Sequence, residues 1–160
     1  MISYQNLSSS ASFGSVQDSL VSLRINSLLL LADQQQIANI ISLADLVWGQ
    51  AEFPACACVY YQGRDWPVYC CSEQVTCLQQ IPAERRVCIL LKNQDTYFGL
   101  LCNEVSVIKS GEFQLQSLPA AHMTEQLPWR AITQIDGKLA CSFDTRGLLE
   151  RLQQLNQGYQ

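Results

Sequence analysis

The strongest constraint in this chain is a succession of short apolar runs, each too brief for an ordinary helix. They are Leu28-Leu31, Ile37-Ile41, Ala55-Tyr61, Pro67-Cys71, Val87-Leu91, Tyr97-Leu101 and Val105-Ile108. Apolar runs of this length, bounded by turn residues, suit strands. The boundaries are supplied by Gln62-Gly63-Arg64-Asp65, Lys92-Asn93-Gln94-Asp95, Ser110-Gly111 and Asp136-Gly137. Asp136-Gly137 is the clearest hairpin signal, because glycine accepts the positive φ of a tight primed turn, and Gln134-Ile135 and Lys138-Leu139-Ala140 flank it as strand ends. Many short strands with frequent turns predict a barrel or a sandwich.

Two segments read as helical. Ser42 to Val47 has room for a turn or two. Gly147 to Leu155 places Leu148, Leu149, Leu152 and Leu155 on one face, with Asp144 or Thr145 as its N-terminal cap. That face is expected to dock on the β-structure. Residues 1–24 are rich in Ser and Gln, including Ser8-Ser9-Ser10-Ala11-Ser12, and read as a flexible tail. Residues 25–157 are then one domain. With 160 residues, 48% of them hydrophobic, the chain suffices for a single core that needs neither disulfide nor metal.

Charge narrows the partners. The net charge is -4 with no Lys/Arg stripe, so the phosphate-neutralising footprint of a nucleic-acid binder is missing. The longest apolar stretch, Leu28 to Ala32, is far below the roughly 20 residues of a membrane span, and no secretory signal pattern is visible. The expectation is a cytoplasmic protein without direct membrane insertion. In that setting the eight cysteines read as free thiols, mostly buried as small hydrophobes; Cys58, Cys77, Cys88, Cys102 and Cys141 have bulky apolar sequence neighbours.

Catalytic patterns are missing. There is no nucleophile elbow, phosphate-binding glycine loop or HExxH motif, and the sole histidine, His122, lies in a Pro-bounded loop. Asp45, Glu52, Asp65, Glu73 and Glu104 are scattered among turns. Cys56-x-Cys58 with Cys70-Cys71 could in principle complete a zinc shell, but Cys56 and Cys58 alternate onto one face of a strand instead of forming a knuckle. Cys70 and Cys71 point to opposite faces, which disfavours a vicinal disulfide. No enzyme activity, metal or cofactor is expected, and a thiol-based or zinc-stabilised module built on Cys56 to Cys77 is the competing reading.

The order of the motifs resembles the CheW-like family, the adaptors of bacterial chemosensory arrays, from about Asn26 to Leu155. The family's early V-x-E-I pattern is similar to Leu43-Ala44-Asp45-Leu46, and its G-x-x-x-P-V turn and strand to Gly63-Arg64-Asp65-Trp66-Pro67-Val68. Its G-L-x-V-D-x-V pattern resembles Gly99-Leu100-Leu101-Cys102-Asn103-Glu104-Val105, and its closing hairpin, aspartate and Leu-rich helix resemble Ala131 to Leu155. The resemblance implies an all-β fold of two intertwined SH3-like β-barrels with a C-terminal helix. It implies a scaffold that binds the regulatory domain of a CheA-like histidine kinase on one surface and the cytoplasmic tip of a methyl-accepting chemoreceptor on another.

By position in those motifs the candidate partner-binding residues are Ile40, Leu43, Leu46, Gln62, Trp66 and Val105. Each could equally be core. Trp66 is the sharpest candidate, since Trp is enriched at binding hot spots. The sequence also departs from the family pattern. L-R-G reads Tyr61-Gln62-Gly63, and P-V-x-D-L reads Pro67-Val68-Tyr69-Cys70-Cys71, so an arginine and an aspartate are replaced together. Asn103 stands where an aspartate is common, and the loop from Pro54 to Gly63 is short. These departures indicate a rewired partner surface or a divergent branch, such as the adaptors of pilus-linked systems for twitching motility; a CheW-like domain serving an unrelated regulator is the alternative.

Overall fold

The computed structural model of the chain describes residues 19–109, 116–117 and 128–157. The start of the expected tail, up to residue 18, the Ser110-Gly111 turn and His122 lie outside the described residues. In order, the elements are β1 (Ser19–Ile25), β2 (Leu28–Ala32), β3 (Ile37–Ser42), β4 (Val47–Trp48), β5 (Ala55–Tyr61) and β6 (Arg64–Tyr69). They continue with β7 (Val87–Asn93), β8 (Thr96–Cys102), β9 (Glu104–Lys109), β10 (Gln116–Ser117), β11 (Trp129–Ile135), β12 (Lys138–Phe143) and one helix, α1 (Thr145–Gln157).

The strands form two six-stranded sheets. One runs β10-β11-β12-β2-β1-β9 and the other β3-β7-β8-β6-β5-β4. The first sheet is assembled from both ends of the described chain, joined by the parallel pairing of β12 with β2. The second comes wholly from the middle and is joined at its centre by the parallel pairing of β6 with β8. The N-terminal hairpin thus belongs to the sheet made by the C-terminal half, which is the intertwining expected of two units.

The tail boundary moves. Residues 19–24, read from sequence as tail, belong to strand β1, which pairs with β9 from Ser19 to Arg24 and with β2 from Val21 to Ile25. Its Leu-x-Ser-Leu-x-Ile composition hid a buried face: Leu23 and Ile25 are fully buried, and even Ser22 is covered. Only long-range pairing with β9, some eighty residues away, gives this stretch its core.

Local chemistry explains the turns. Asp136 and Gly137 both have positive φ, 52° and 77°, between the paired Ile135 and Lys138, as a primed two-residue turn requires. Gln62 and Gly63, at 52° and 81°, do the same between Tyr61 and Arg64. The helical turn expected near Ser42 is a 3-10 turn over Leu43–Asp45, capped by Ser42, whose Oγ accepts from the Ala44 N–H at 3.2 Å. At α1 the cap is Asp144, which accepts from the Gly147 N–H at 3.1 Å.

Two main cores result. The first gathers Leu23, Ile25, Leu30, Ile89, Leu91, Phe98, Leu100 and Phe143 under Leu148 and Leu152 of α1. The second gathers Ile41, Leu46, Ala57, Val59, Trp66, Val68, Leu90 and Leu101. Strands β7 and β8 feed both: Ile89 and Leu91 face the first core, Cys88 and Leu90 the second. Burial on both faces is why Val87-Leu91 reads as a continuous apolar run instead of an alternating one. The same alternation separates Cys71, in the first core, from Cys70, in the second.

Candidate functional site

Where the two sheets meet, a cleft of about 290 Å³ opens, lined by Val21, Gln34, Ile37, Ile40, Val105, Ser106 and Val107. Strand pairing places its first wall. Leu23 lies opposite Val105 and Val21 opposite Val107, so these four share one face of β1 and β9. Along that face Leu23 is fully buried, Val105 half-buried and Val107 67% exposed, so a core surface runs outward into solvent.

A bulge makes the second wall. The register of β3 against β7 slips between Ile37 and Asn39, so that Ile37 pairs with Leu91 and Ile40 with Ile89. Leu91 and Ile89 share a face, since strand side chains repeat every two residues. The extra residue in β3 therefore brings Ile37 and Ile40 to the same side although they are three apart. The Ile40 N–H donates to Asn39 Oδ1 at 2.8 Å, a local bond at the distorted segment. Ile40 remains 54% exposed.

Two of the sequence candidates, Ile40 and Val105, are thus brought together. The others go elsewhere. Leu43 is half-buried against the second core, and Leu46 lies inside it. Gln62 is exposed at the β5–β6 turn. Trp66 is corrected from contact residue to core residue: it is only 8% exposed because the alternation of β6 turns Trp66 and Val68 inward. Its ring packs edge-on against Tyr97 at 5.2 Å, its Nε1–H donates to the Tyr61 carbonyl at 2.9 Å, and the Arg64 guanidinium lies 4.7 Å above it.

Sequence reasoning missed Val107, Ile37 and Val21. Val107 had a signal, since it follows Val105 by two residues on one strand face. Ile37 was masked by the bulge, which breaks the alternation from which a shared face is read. A second apolar surface, also missed, lies on β4 and β5. Val47 and Tyr60 are exposed there on one face, since Val47 sits opposite Cys58, which shares a strand face with Tyr60; Trp48, also exposed, pairs with Ala57 and belongs to the other face.

Cys56 and Cys58 are half-buried but do not share the one strand face expected of them, because the register of β5 against β6 slips between Ala55 and Ala57 and Cys56 packs against the second core with Ala57 and Val59; the other six cysteines are buried. Burial pushes the Cys56, Cys77 and Cys88 thiols up to about 12 and Cys141 to about 11. Among the described residues no three His, Cys, Asp or Glu side chains converge as a ligand set. No helix among them is long and apolar enough to cross a membrane.

No family model matches the sequence, and no curated protein does. A solved structure does match in three dimensions: the scaffolding protein TtCheW from Thermoanaerobacter tengcongensis, with a TM-score of 0.60 and 13% sequence identity over 79% of this chain and 88% of that one. The chain therefore has the CheW-like fold: two strand-built units with a C-terminal helix.

Proposed function

We propose that this chain is a non-enzymatic cytoplasmic adaptor of a chemotaxis-type signalling system, coupling a chemoreceptor to a CheA-like histidine kinase through protein contacts alone. The observation that carries the reading is the apolar cleft between the sheets, on a fold shared with a scaffolding protein. An amphipathic helix lays its apolar face into such a groove, with anchors recurring three and four residues apart, and the helical tip of a receptor has that form. The exposed Val47 and Tyr60 share a face away from the cleft lining and offer a sheet surface for the kinase's regulatory domain. Service in a pilus-linked system rests only on the departures at Gln62 and Cys70.

The test is a calorimetric titration of the full chain with the regulatory domain of each chemotaxis-type kinase of the same organism, and with the receptor tip. Micromolar or tighter binding to one kinase and to a receptor establishes the adaptor role. A folded protein that binds no kinase refutes it and favours a CheW-like fold serving an unrelated regulator.

A further inference from the structure

The two strand ends after β6 hold a pair of cysteines that the adaptor reading does not use. Cys71 and Cys77 face each other across an isolated antiparallel bridge. The Ser72 N–H donates to the Thr76 carbonyl at 2.9 Å and the Leu78 N–H to the Cys70 carbonyl at 2.8 Å, on either side of the pair. Cys71 and Cys77 are therefore a non-hydrogen-bonded pair, the closer of the two antiparallel kinds, with Cα atoms typically about 4.5 Å apart. A disulfide spans Cα separations of roughly 4.4–6.8 Å. The pairing therefore has the kind of geometry that a disulfide spans.

Two arginines approach the pair. The Arg85 guanidinium is buried and donates from Nη2 to the Cys71 carbonyl at 2.8 Å, and Arg151 donates from Nη2 to the Gln74 carbonyl at 3.2 Å. Both arginines have a buried Nε without a partner among the described residues. Their charges favour the thiolate of Cys71, and Arg151 also that of Cys77, against the burial that keeps both protonated. The loop between the cysteines is already closed on itself. Ser72 Oγ accepts from the Gln74 and Thr76 N–H groups, and the Ser27 N–H and hydroxyl donate to Glu73. Val75, a β-branched residue, is held fully buried at a φ of 59°.

We propose that Cys71 and Cys77 form an intrachain disulfide when the protein meets a hydroperoxide. Cys77, at 6% exposure against 0% for Cys71, meets the oxidant first. Its sulfur takes one peroxide oxygen as a sulfenic acid and releases water or an alcohol. The Cys71 sulfur then attacks the sulfenic sulfur, expelling a second water, with both thiol protons leaving in the products. Two thiols and one peroxide thus yield one disulfide. The bond locks the 72–76 loop beneath α1, whose Leu152 carbonyl lies 3.7 Å from the Cys77 sulfur.

The test treats the reduced full chain with hydrogen peroxide, alkylates without reductant and cleaves after Glu73, which separates Cys70 and Cys71 from Cys77. The expected result is that these two peptides stay joined until reduced, and that alkylatable thiols in the unfolded chain fall from eight to six, the pair being the difference. Fragmentation of the joined peptide assigns the bond to Cys71 directly, without a variant. Cys70→Ala keeps the junction and Cys71→Ala abolishes it. Peptides that separate at a peroxide level that oxidises the half-buried Cys58, or a bond that maps to Cys70, overturn the proposal.

Discussion

Truncating both walls of the cleft, Ile40→Ala together with Val107→Ala, measures what the cleft contributes to binding. Ile40 is 54% and Val107 67% exposed in the free protein, so half to two-thirds of each side chain is available for a partner to cover. Burying a whole Ile or Val side chain contributes about 1.5–3 kcal/mol, so covering the exposed share contributes about 1–2 kcal/mol per residue. Alanine keeps one methyl of each, which leaves a loss of about 2 kcal/mol for the pair, or roughly a 30-fold rise in Kd at about 1.4 kcal/mol per decade. The assay is calorimetric titration with the receptor tip, alongside urea denaturation. Exposed sites of this kind shift stability by about 0.5 kcal/mol or less each, so the denaturation midpoint should barely move. Leu139→Ala is the control, because Leu139 is 48% exposed yet outside the cleft lining, and it should leave Kd unchanged. A double variant that is folded and binds with the parental Kd would refute the assignment of the cleft.

Two further predictions concern the second core. Trp66→Ala should destabilise the protein by about 3–5 kcal/mol, through the cavity it leaves and the lost bond to the Tyr61 carbonyl, and the urea midpoint reads it; a variant of parental stability would return Trp66 to the surface. Gly99→Ala should cost about 1–3 kcal/mol, because its Cβ would stand 2.8 Å from Cys88 Sγ and 2.9 Å from Val68 Cγ2, and Val68→Ala in the same chain should recover part of that loss.

Local rules decided much of this protein before any tertiary contact was known. The apolar runs from Ala55 to Tyr61 and from Val87 to Leu91 became strands β5 and β7, starting at the same residues. Asp136-Gly137 became the hairpin turn, and Leu148 and Leu152 became the buried face of α1. Each depends on a period of two or 3.6 residues or on one glycine's freedom at positive φ, all readable within a few neighbours. The order of those signals also carried the CheW-like fold.

The site depended on what lies far away in sequence. Residues 19–24 look like the end of a polar tail until β9 arrives to pair with them. Trp66 looks like an exposed anchor beside a turn until the second core closes over it. Ile37 and Ile40 share a wall only because a bulge shifts β3 against β7, and Val107 forms the opposite wall only because β1 positions β9. Pairing register is set between strands, not within them, and a slip of one residue reverses which face a side chain occupies. The sequence by itself therefore determined which segments are strands and where they turn, while the tertiary structure alone decided which of their apolar side chains are core and which line the cleft.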